Sequence, residues 1–161
     1  MIRPILARGF SLLELLVAMS ILAILVALAV PSYGQYVVRN HRVLAKTQLT
    51  ELAGRQESFF VERKTYASTL TRLGLAGDSL YLQPDGALVT AETDESLYRL
   101  SIASASGDCP ASGNASRSGY TVQASPVGQQ ATRDLACAVL CLDSTGLRSA
   151  SGAEPAGCWS R

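Results

Sequence analysis

The sequence predicts an α+β protein in which a long N-terminal α-helix packs against an antiparallel β-sheet. Three observations support this fold class. An apolar run of about twenty residues stands near the start of the chain, long enough for a helix that crosses a bilayer. An amphipathic helical pattern follows it, and the rest of the chain consists of short alternating segments separated by turns.

The apolar run, Phe10 to Val30, contains no Lys or Arg and a single acid, Glu14. At 1.5 Å per residue this helix spans about 30 Å, the thickness of the hydrocarbon core of a bilayer. Arg3 and Arg8 precede it. Because basic flanking residues favour the cytoplasmic side, we expect the leader inside and the remainder of the chain outside.

A secretory signal peptide is the first alternative, since Ala27-Leu28-Ala29 fits a cleavage site, and a simple one-span anchor is the second. The run is long for a signal peptide, and both alternatives leave Glu14 unexplained. An acid in an apolar helix costs about 3 kcal/mol in a bilayer unless it is paired. Glu14 is therefore predicted to be a functional residue.

The segment Gly9-Phe10-Ser11-Leu12-Leu13-Glu14, with the apolar run behind it, resembles the class III signal of type IV pilins and their relatives. The resemblance implies that a prepilin peptidase cuts between Gly9 and Phe10 on the cytoplasmic side, methylates the new amine and leaves the helix in place. The cationic amine of Phe10 and the carboxylate of Glu14 on a neighbouring subunit would then neutralise each other. Removing either partner strands a buried charge, at a cost of about 3 to 5 kcal/mol, so we expect Glu14 to set the register of helix assembly.

Pro31 lies within the predicted helix, where it removes one backbone hydrogen bond and should kink or loosen the helix. The resemblance implies that the helix continues beyond Pro31, whereas the alternative ends it there as it leaves the membrane. The chain is predicted to consist of a leader at 1–9, a transmembrane and assembly helix at 10–38, and a periplasmic head at 39–161. Within the head we expect a helix at 39–64, a connecting loop at 65–79, and a sheet with a C-terminal disulfide loop at 80–161.

Helical periodicity continues beyond the membrane segment but becomes one-sided. The positions expected to face the sheet are Ala45, Leu49, Leu52, Ala53, Gln56, Phe59 and Phe60. The charged run from Arg39 to Lys46 includes the only histidine, His41. We expect this run to form a solvated face rather than a ligand site.

Alternating apolar residues predict strands at 97–103 and 120–125, and 135–142 is predicted as the third main strand. Short strand-like segments at 80–82 and 87–91 flank the turn Pro84-Asp85-Gly86, and the turn Asp143-Ser144-Thr145-Gly146 leads into a segment at 147–149. Tyr98, Leu100 and Ile102 should share the inner face of the sheet. Short connections between the strands imply an antiparallel meander whose inner face covers the helix.

Four cysteines fall in the part predicted to lie outside the cytoplasm, where disulfides are the default. In the predicted meander the loop at 104–119, which holds Cys109, lies at the end of the sheet where the third main strand finishes near Cys141, so these two should meet. Cys137 lies about 13 Å back along that strand and is left for Cys158. The resemblance of the C-terminal segment to PilE-type minor pilins also implies this second pair, but it does not account for the first.

Composition excludes several function classes. A net charge of +1 gives no bulk electrostatic case for nucleic acid. One histidine with no nucleophile placed against it by a motif gives no catalytic dyad or triad, and the sequence has no glycine-rich phosphate loop. We therefore expect no enzyme activity, no cofactor and no metal.

The resemblance implies a minor structural subunit of a type IV pilus that supports pilus biogenesis, twitching motility or adhesion. Such a subunit is held in the inner membrane by one span, with a periplasmic head, and later joins the cell-surface pilus. Its partners would be other pilins, major and minor, the prepilin peptidase and the inner-membrane assembly platform. Three alternatives stay open: an abundant major pilin, a pseudopilin of a type II secretion system, and a DNA-binding competence pilin. For the last, the candidate DNA contacts are Arg117, Arg133, Arg148 and Arg161.

Overall fold

The computed structural model describes residues 11–103, 108–111, 113, 115 and 118–160, with backbone alone at 29–32. The chain divides into two compact units, one extending up to Val37 and the other beginning at Val38. This boundary falls next to residue 38, the predicted end of the membrane helix.

Helix α1 comprises Leu12–Arg63, 52 residues that belong to both units. It continues past Pro31, so the expected continuation is confirmed and the alternative that ends the helix there is wrong. Glu14 lies in its first turn and Arg63 in its last, where the helix dipole favours each charge. The helix ends where Lys64 adopts a left-handed φ of 56°.

The first unit exposes its apolar side chains. Every described side chain from residue 11 to residue 28 is exposed, as Leu12 at 82% and Val17 at 48% illustrate. By its length and composition, α1 meets the requirements for a membrane-spanning helix. Its first half therefore has no hydrophobic core of its own.

In the part of the chain that the structure describes, six strands form one antiparallel sheet. They are β1 (Leu80–Leu82), β2 (Leu88–Val89), β3 (Tyr98–Ala103), β4 (Thr121–Pro126), β5 (Leu140–Asp143) and β6 (Arg148–Ala150). Their order in the sheet is β2-β1-β3-β4-β5-β6. Because β3 pairs with β4 and β4 with β5, both antiparallel, the predicted meander of the three main strands is confirmed.

Two of the predicted strands are too long. Segment 87–91 contributes only Leu88–Val89 to the sheet, and segment 135–142 enters the sheet only at Leu140. The alternating pattern of the second segment includes Leu135, yet that side chain is 69% exposed. Residues before Leu140 instead bond to the tail through their backbone, as in the 3.0 Å hydrogen bond from Gly152 N–H to the carbonyl of Cys137.

A short helix, α2 (Gly128–Arg133), lies between the segments 120–125 and 135–142 that the sequence predicts as strands. Gly128 enters it at a φ of 50°, which glycine adopts without steric cost. The N–H of Asp134 closes its last turn by donating to the carbonyl of Gln130 at 2.9 Å. Six residues are too few for helical periodicity to be recognised, so the sequence did not indicate this helix.

The core lies between one face of α1 and the inner face of the sheet. Its fully or almost fully buried members are Ala45, Leu49, Leu52, Leu80, Leu82, Tyr98, Leu100, Tyr120, Val122, Ala124 and Leu140. Gln56, on the same face of α1, is also buried, and its side chain makes two 2.8 Å hydrogen bonds with the backbone N–H and C=O of Ala67. These bonds fix the beginning of the connecting loop, whose Leu70 is buried in the core.

Two disulfides join Cys109 to Cys141 and Cys137 to Cys158, the pairing expected from the strand order. Cys141 lies on β5, but Cys137 precedes that strand. The two cysteines are therefore separated by a turn rather than by the extended strand of the prediction. The first disulfide ties the β3–β4 loop to the sheet, and the second closes the C-terminal loop.

Candidate functional site

The first part of the candidate site is the apolar surface around Glu14. The leucines next to it in sequence are 58% to 82% exposed; they are Leu12, Leu13, Leu15 and Leu16. Neither ion pair among the described residues includes Glu14. Gly9 and Phe10 lie outside the described residues, and of Pro31 only the backbone is described. A carboxylate on such a surface needs a cationic partner from elsewhere.

The second part is a buried polar network in the second unit, centred on Asp134. This carboxylate is fully buried and accepts hydrogen bonds from the Arg42 guanidinium at 2.6 to 2.9 Å and from the Tyr98 hydroxyl at 2.8 Å. The amide of Gln130 donates to Tyr98 and to Asp134 at 2.9 and 3.2 Å. The network therefore ties α1, β3 and α2 together through groups that are saturated with partners.

The expectation of a solvated face from Arg39 to Lys46 is wrong for part of that run. Arg39 is exposed, but the side chain of Arg42 is only 17% exposed because it neutralises Asp134. His41 is half-buried, and its Nδ1 lies 2.9 Å from Oε1 of Gln130. Since that amide oxygen can only accept, Nδ1 carries the proton. Because their partners, Asp134 and Gln130, are buried, Arg42 and His41 have a structural role.

The third part is a cationic cluster formed by Lys46 on α1 and Arg148 on β6, together with the ring of Trp159 in the C-terminal tail. The Lys46 ammonium donates to the backbone carbonyl of Ser160 at 3.1 Å. The Arg148 guanidinium lies over the Trp159 ring, 5.6 Å from its centroid. Burial, followed by the nearby charges of Arg42 and Arg148, lowers the pKa of Lys46.

The side chain of Trp159 is held in place by a hydrogen bond from its indole nitrogen. Its indole N–H donates to the carbonyl of Ser149 at 2.9 Å, and the ring is half-buried against the core. The Cys137–Cys158 disulfide, directly before Trp159 in sequence, closes the loop that keeps the ring in this place. The sequence also named Arg148, but it did not indicate Lys46, which stands more than a hundred residues earlier on α1.

The other arginines named from the sequence do not join this cluster among the described residues. Arg133 is exposed at the end of α2. Arg117 and Arg161 lie outside the described residues. No group of His, Cys, Asp and Glu side chains in the described part of the chain could hold a metal ion.

Two tyrosines are kept protonated by their surroundings. Burial, reinforced by the charge of Asp134, raises the pKa of Tyr98. Burial, reinforced by the carboxylate of Glu57, which lies 3.3 Å from the hydroxyl, likewise raises the pKa of Tyr120. Both hydroxyls thus serve as hydrogen-bond donors within the head and have no acid–base role near neutral pH.

Comparison with known families gives two matches. Residues 31–141, more than half of the chain, match the family described as "Type IV minor pilin ComP, DNA uptake sequence receptor". Residues 6–30 match the family described as "Prokaryotic N-terminal methylation motif".

Individual proteins show more limited similarity. The type IV major pilin protein PilA of Myxococcus xanthus (strain DK1622) is 30% identical over 102 residues, which are 63% of this chain and 40% of that protein. A fimbrial protein of Pseudomonas aeruginosa is 34% identical over 64 residues, 40% of this chain and 42% of that protein. The chain thus spans about two fifths of the length of these relatives.

A solved structure, a type IV pilin from Shewanella oneidensis, is 18% identical to this chain. The superposition covers 77% of this chain and 99% of that one, with a TM-score of 0.46.

Proposed function

The chain belongs to the family of the type IV minor pilin ComP and carries the N-terminal methylation motif of type IV pilins, and from this premise we propose that it acts as a minor structural subunit of a type IV pilus. Its apolar N-terminal helix anchors it in a membrane before assembly and enters the fibre afterwards. The prepilin peptidase, the inner-membrane assembly platform and other pilins, major and minor, are its proposed partners.

The observation that carries this proposal is the exposure of every described side chain from residue 11 to residue 28. A surface of this length that is apolar on all sides is stable in lipid or against other apolar helices, but not in water. Because lipid is as apolar as leucine, packing and polar pairing must favour the fibre over the membrane. Glu14 is the acid available for such pairing, and the amine released at Phe10 is its proposed partner in a neighbouring subunit.

The test is Glu14→Ala, with Glu62→Ala as a matched control at an exposed position near the other end of α1. We expect Glu14→Ala to insert in the membrane and be processed like the wild type, but to be lost from sheared fibres. Glu62→Ala should enter fibres normally. Immunoblots of membrane and sheared fractions measure both, and a wild-type amount of Glu14→Ala in the fibres would overturn the pairing.

Processing is tested separately by Gly9→Val. A branched side chain beside the scissile bond should keep the peptidase from reaching the backbone, so only the unprocessed form is expected in the membrane. A mature-size band from this variant, identified by N-terminal sequencing, would contradict cleavage between Gly9 and Phe10.

A second candidate function is reception of DNA, favoured by the description of the matching family and by the cationic cluster. A subunit of this kind would bind duplex DNA at the surface of the pilus. The test is a mobility shift with full-length mature protein in detergent micelles. Two duplexes are used, one from the producing organism and one of unrelated sequence. Retarded migration of the first at lower protein concentration supports the function, and no shift of either duplex excludes it.

A further inference from the structure

We propose that this chain is a substrate of a thiol–disulfide isomerase, which exchanges its disulfides before the head completes its fold. Two features lead to this inference: the order of the cysteines along the chain, and the pairs that the structure joins. The inference rests on the proposed export of the head to the oxidising side of the membrane, where disulfides form. It is independent of whether the assembled fibre receives DNA.

The native disulfides do not join cysteines that follow one another in sequence. Cys109 skips Cys137 to join Cys141, and Cys137 skips Cys141 to join Cys158. Since α1 precedes the head and stays in the membrane, the head emerges with Cys109 first and Cys137 second. These two thiols are therefore the first that an oxidase can join, and their bond is absent from the folded head.

The lengths of the loops do not favour the native pairs. The native bond of Cys109 spans 32 residues, and a wrong bond to Cys137 would close a loop only four residues shorter. Because loop closure depends weakly on length, the native bond is disfavoured in the unfolded chain by a factor of about 1.2. A wrong bond between Cys141 and Cys158 is likewise four residues shorter than the native loop of 21 residues. The unfolded chain therefore does not select the native pairs.

Only the folded head distinguishes Cys137 from Cys141. Cys141 lies on β5, paired with Gln123 of β4. The side-chain oxygen of Gln123 accepts a 3.0 Å hydrogen bond from the N–H of Ala111, which holds the β3–β4 loop at this position. Cys137 precedes β5, and its carbonyl accepts a 3.0 Å hydrogen bond from Gly152 in the tail. The contacts that select each partner thus require a sheet and a tail that form after the first thiols have emerged.

A chain with both wrong bonds cannot correct itself. A disulfide exchanges only when a thiolate attacks one of its two sulfurs. The chain has four cysteines, so two wrong disulfides leave it with no thiol of its own. The attacking thiolate must come from another molecule, and an isomerase with a reactive active-site cysteine has the chemistry that is needed.

The exchange requires three steps, each of which forms one S–S bond and breaks another. The isomerase thiolate attacks Cys109 in the wrong bond, so a mixed disulfide forms and Cys137 leaves as a thiolate. Cys137 then attacks Cys158 and releases the thiolate of Cys141. Cys141 attacks Cys109 in the mixed disulfide, which completes the native pairs and returns the isomerase as a thiolate. The chain is neither oxidised nor reduced overall.

Burial stops the exchange once the native pairs have formed. Cys137, Cys141 and Cys158 are 1%, 1% and 2% exposed in the folded head. Their sulfurs are therefore out of reach of an external thiolate. A wrongly paired chain cannot adopt this packing, because each sulfur is already bonded to a partner other than the one beside it in the fold. The isomerase would thus act on wrongly paired chains and spare the native head.

The test compares two host strains that contain a periplasmic thiol oxidase, one with a disulfide isomerase and one without it. Free thiols are blocked, and full-length protein is isolated from the membrane of each strain. Non-reducing digestion with trypsin and chymotrypsin, including cleavage after Leu140 to separate Cys137 from Cys141, identifies the pairs by mass spectrometry. We expect native pairs in almost all chains from the first strain, and in at most about a third from the second, since three pairings compete.

Two matched controls remove the choice of partner. Cys109→Ser with Cys141→Ser leaves only the second pair, and Cys137→Ser with Cys158→Ser leaves only the first. Each control is compared with itself in the two strains, so its lower stability does not enter the comparison. Both controls should form their single disulfide to the same extent with and without the isomerase.

A rescue arm tests the exchange itself. The isomerase supplied from a plasmid should restore the native pairs, whereas the same isomerase without its reactive cysteine should not. Rescue by both forms would contradict the exchange. Equal native pairing of the wild type in the two strains would overturn the inference, as would an equal loss in the two controls. Free thiols at all four cysteines in both strains would instead overturn the proposed export of the head, and the inference with it.

Discussion

Leu22 and Leu49 stand on the same helix in opposite surroundings. Leu22, in the first unit, is 55% exposed, and Leu49, in the second, is fully buried in the core. The second unit supplies its own hydrophobic core, two disulfides and a saturated polar network. The first unit supplies none of these among its described residues. Continuity of a helix therefore does not mean that one source of energy stabilises all of it: half depends on the fold, and half on lipid or neighbouring subunits.

The largest effect on the second unit is expected from Asp134→Ala. This change leaves the Arg42 guanidinium buried without its anion and removes acceptors from Tyr98 and Gln130. The free energy of unfolding of the second unit should fall by about 4 kcal/mol, measured by denaturant titration of the full-length protein in detergent micelles. Membrane insertion, which depends on the first unit, should not change.

Asp94→Ala is the control for this loss of charge. Asp94 lies in an exposed loop, so its removal should change stability by no more than about 0.5 kcal/mol. An equal effect of the two substitutions would show that the buried network does not stabilise the second unit.

The direct test of the comparison is Leu49→Ala beside Leu22→Ala. The first opens a cavity in the core and should cost about 3 kcal/mol of unfolding free energy. The second should leave the unfolding of the head within about 0.5 kcal/mol of wild type, because its side chain contributes nothing to that core. Equal losses in both variants would mean that the two units unfold as one.

The covalent part of the difference is tested by changing both Cys137 and Cys158 to Ser. Opening a loop with a sequence separation of 21 residues should lower stability by about 3 kcal/mol through the entropy of the unfolded chain. Thermal unfolding under non-reducing conditions measures the loss. Partial proteolysis should then begin near Trp159, and an unchanged midpoint would show that the loop is held by its backbone hydrogen bonds alone.

The smallest expected effect concerns Tyr98 and the loss of folding stability at alkaline pH. The pKa of Tyr98 in the folded state is raised above the ordinary tyrosine value of 10.0, so the unfolded chain releases this proton first. The stability that the hydroxyl contributes is complete below pH 10.0 and declines as pH rises toward the folded-state pKa. Tyr98→Phe should lose about 1 kcal/mol at neutral pH and then show a shallower alkaline decline than wild type. Parallel curves above pH 10.0 would contradict this assignment.

Local pattern was sufficient to predict most of the fold. Apolar and amphipathic periodicity located α1, and alternation located β3 and β4, because both signals repeat over several residues and depend on burial alone. The turn signals Pro84-Asp85-Gly86 and Asp143–Gly146 gave the hairpin order. The disulfide pairing then followed from that order rather than from the spacing of the cysteines.

The parts that failed depend on pairs that are distant in sequence. Arg42 and Asp134 are 92 residues apart, so nothing near Arg42 indicates that it is buried. Lys46 lies on α1 and Arg148 on β6, so no local pattern could relate the two residues. The strand predicted from residue 135 failed for a different reason: the segment is apolar in sequence, but the side chain of Leu135 faces solvent.

The two disulfides have interleaved spans, because the second begins at Cys137, before the first closes at Cys141. This changes how the head would respond to a pulling force. Without the crosslinks, the chain from Cys109 to Cys158 could extend to a length of about 170 Å, at about 3.5 Å per residue.

With both bonds intact, the shortest covalent path crosses one disulfide, four residues of backbone and the other disulfide. Its Cα–Cα steps across the disulfides are 6.0 and 5.5 Å, so the whole path reaches only about 25 Å. A pulling force between Cys109 and Cys158 is therefore carried by the two disulfides and the backbone from Cys137 to Cys141. The rest of the chain between Cys109 and Cys158 bears no load.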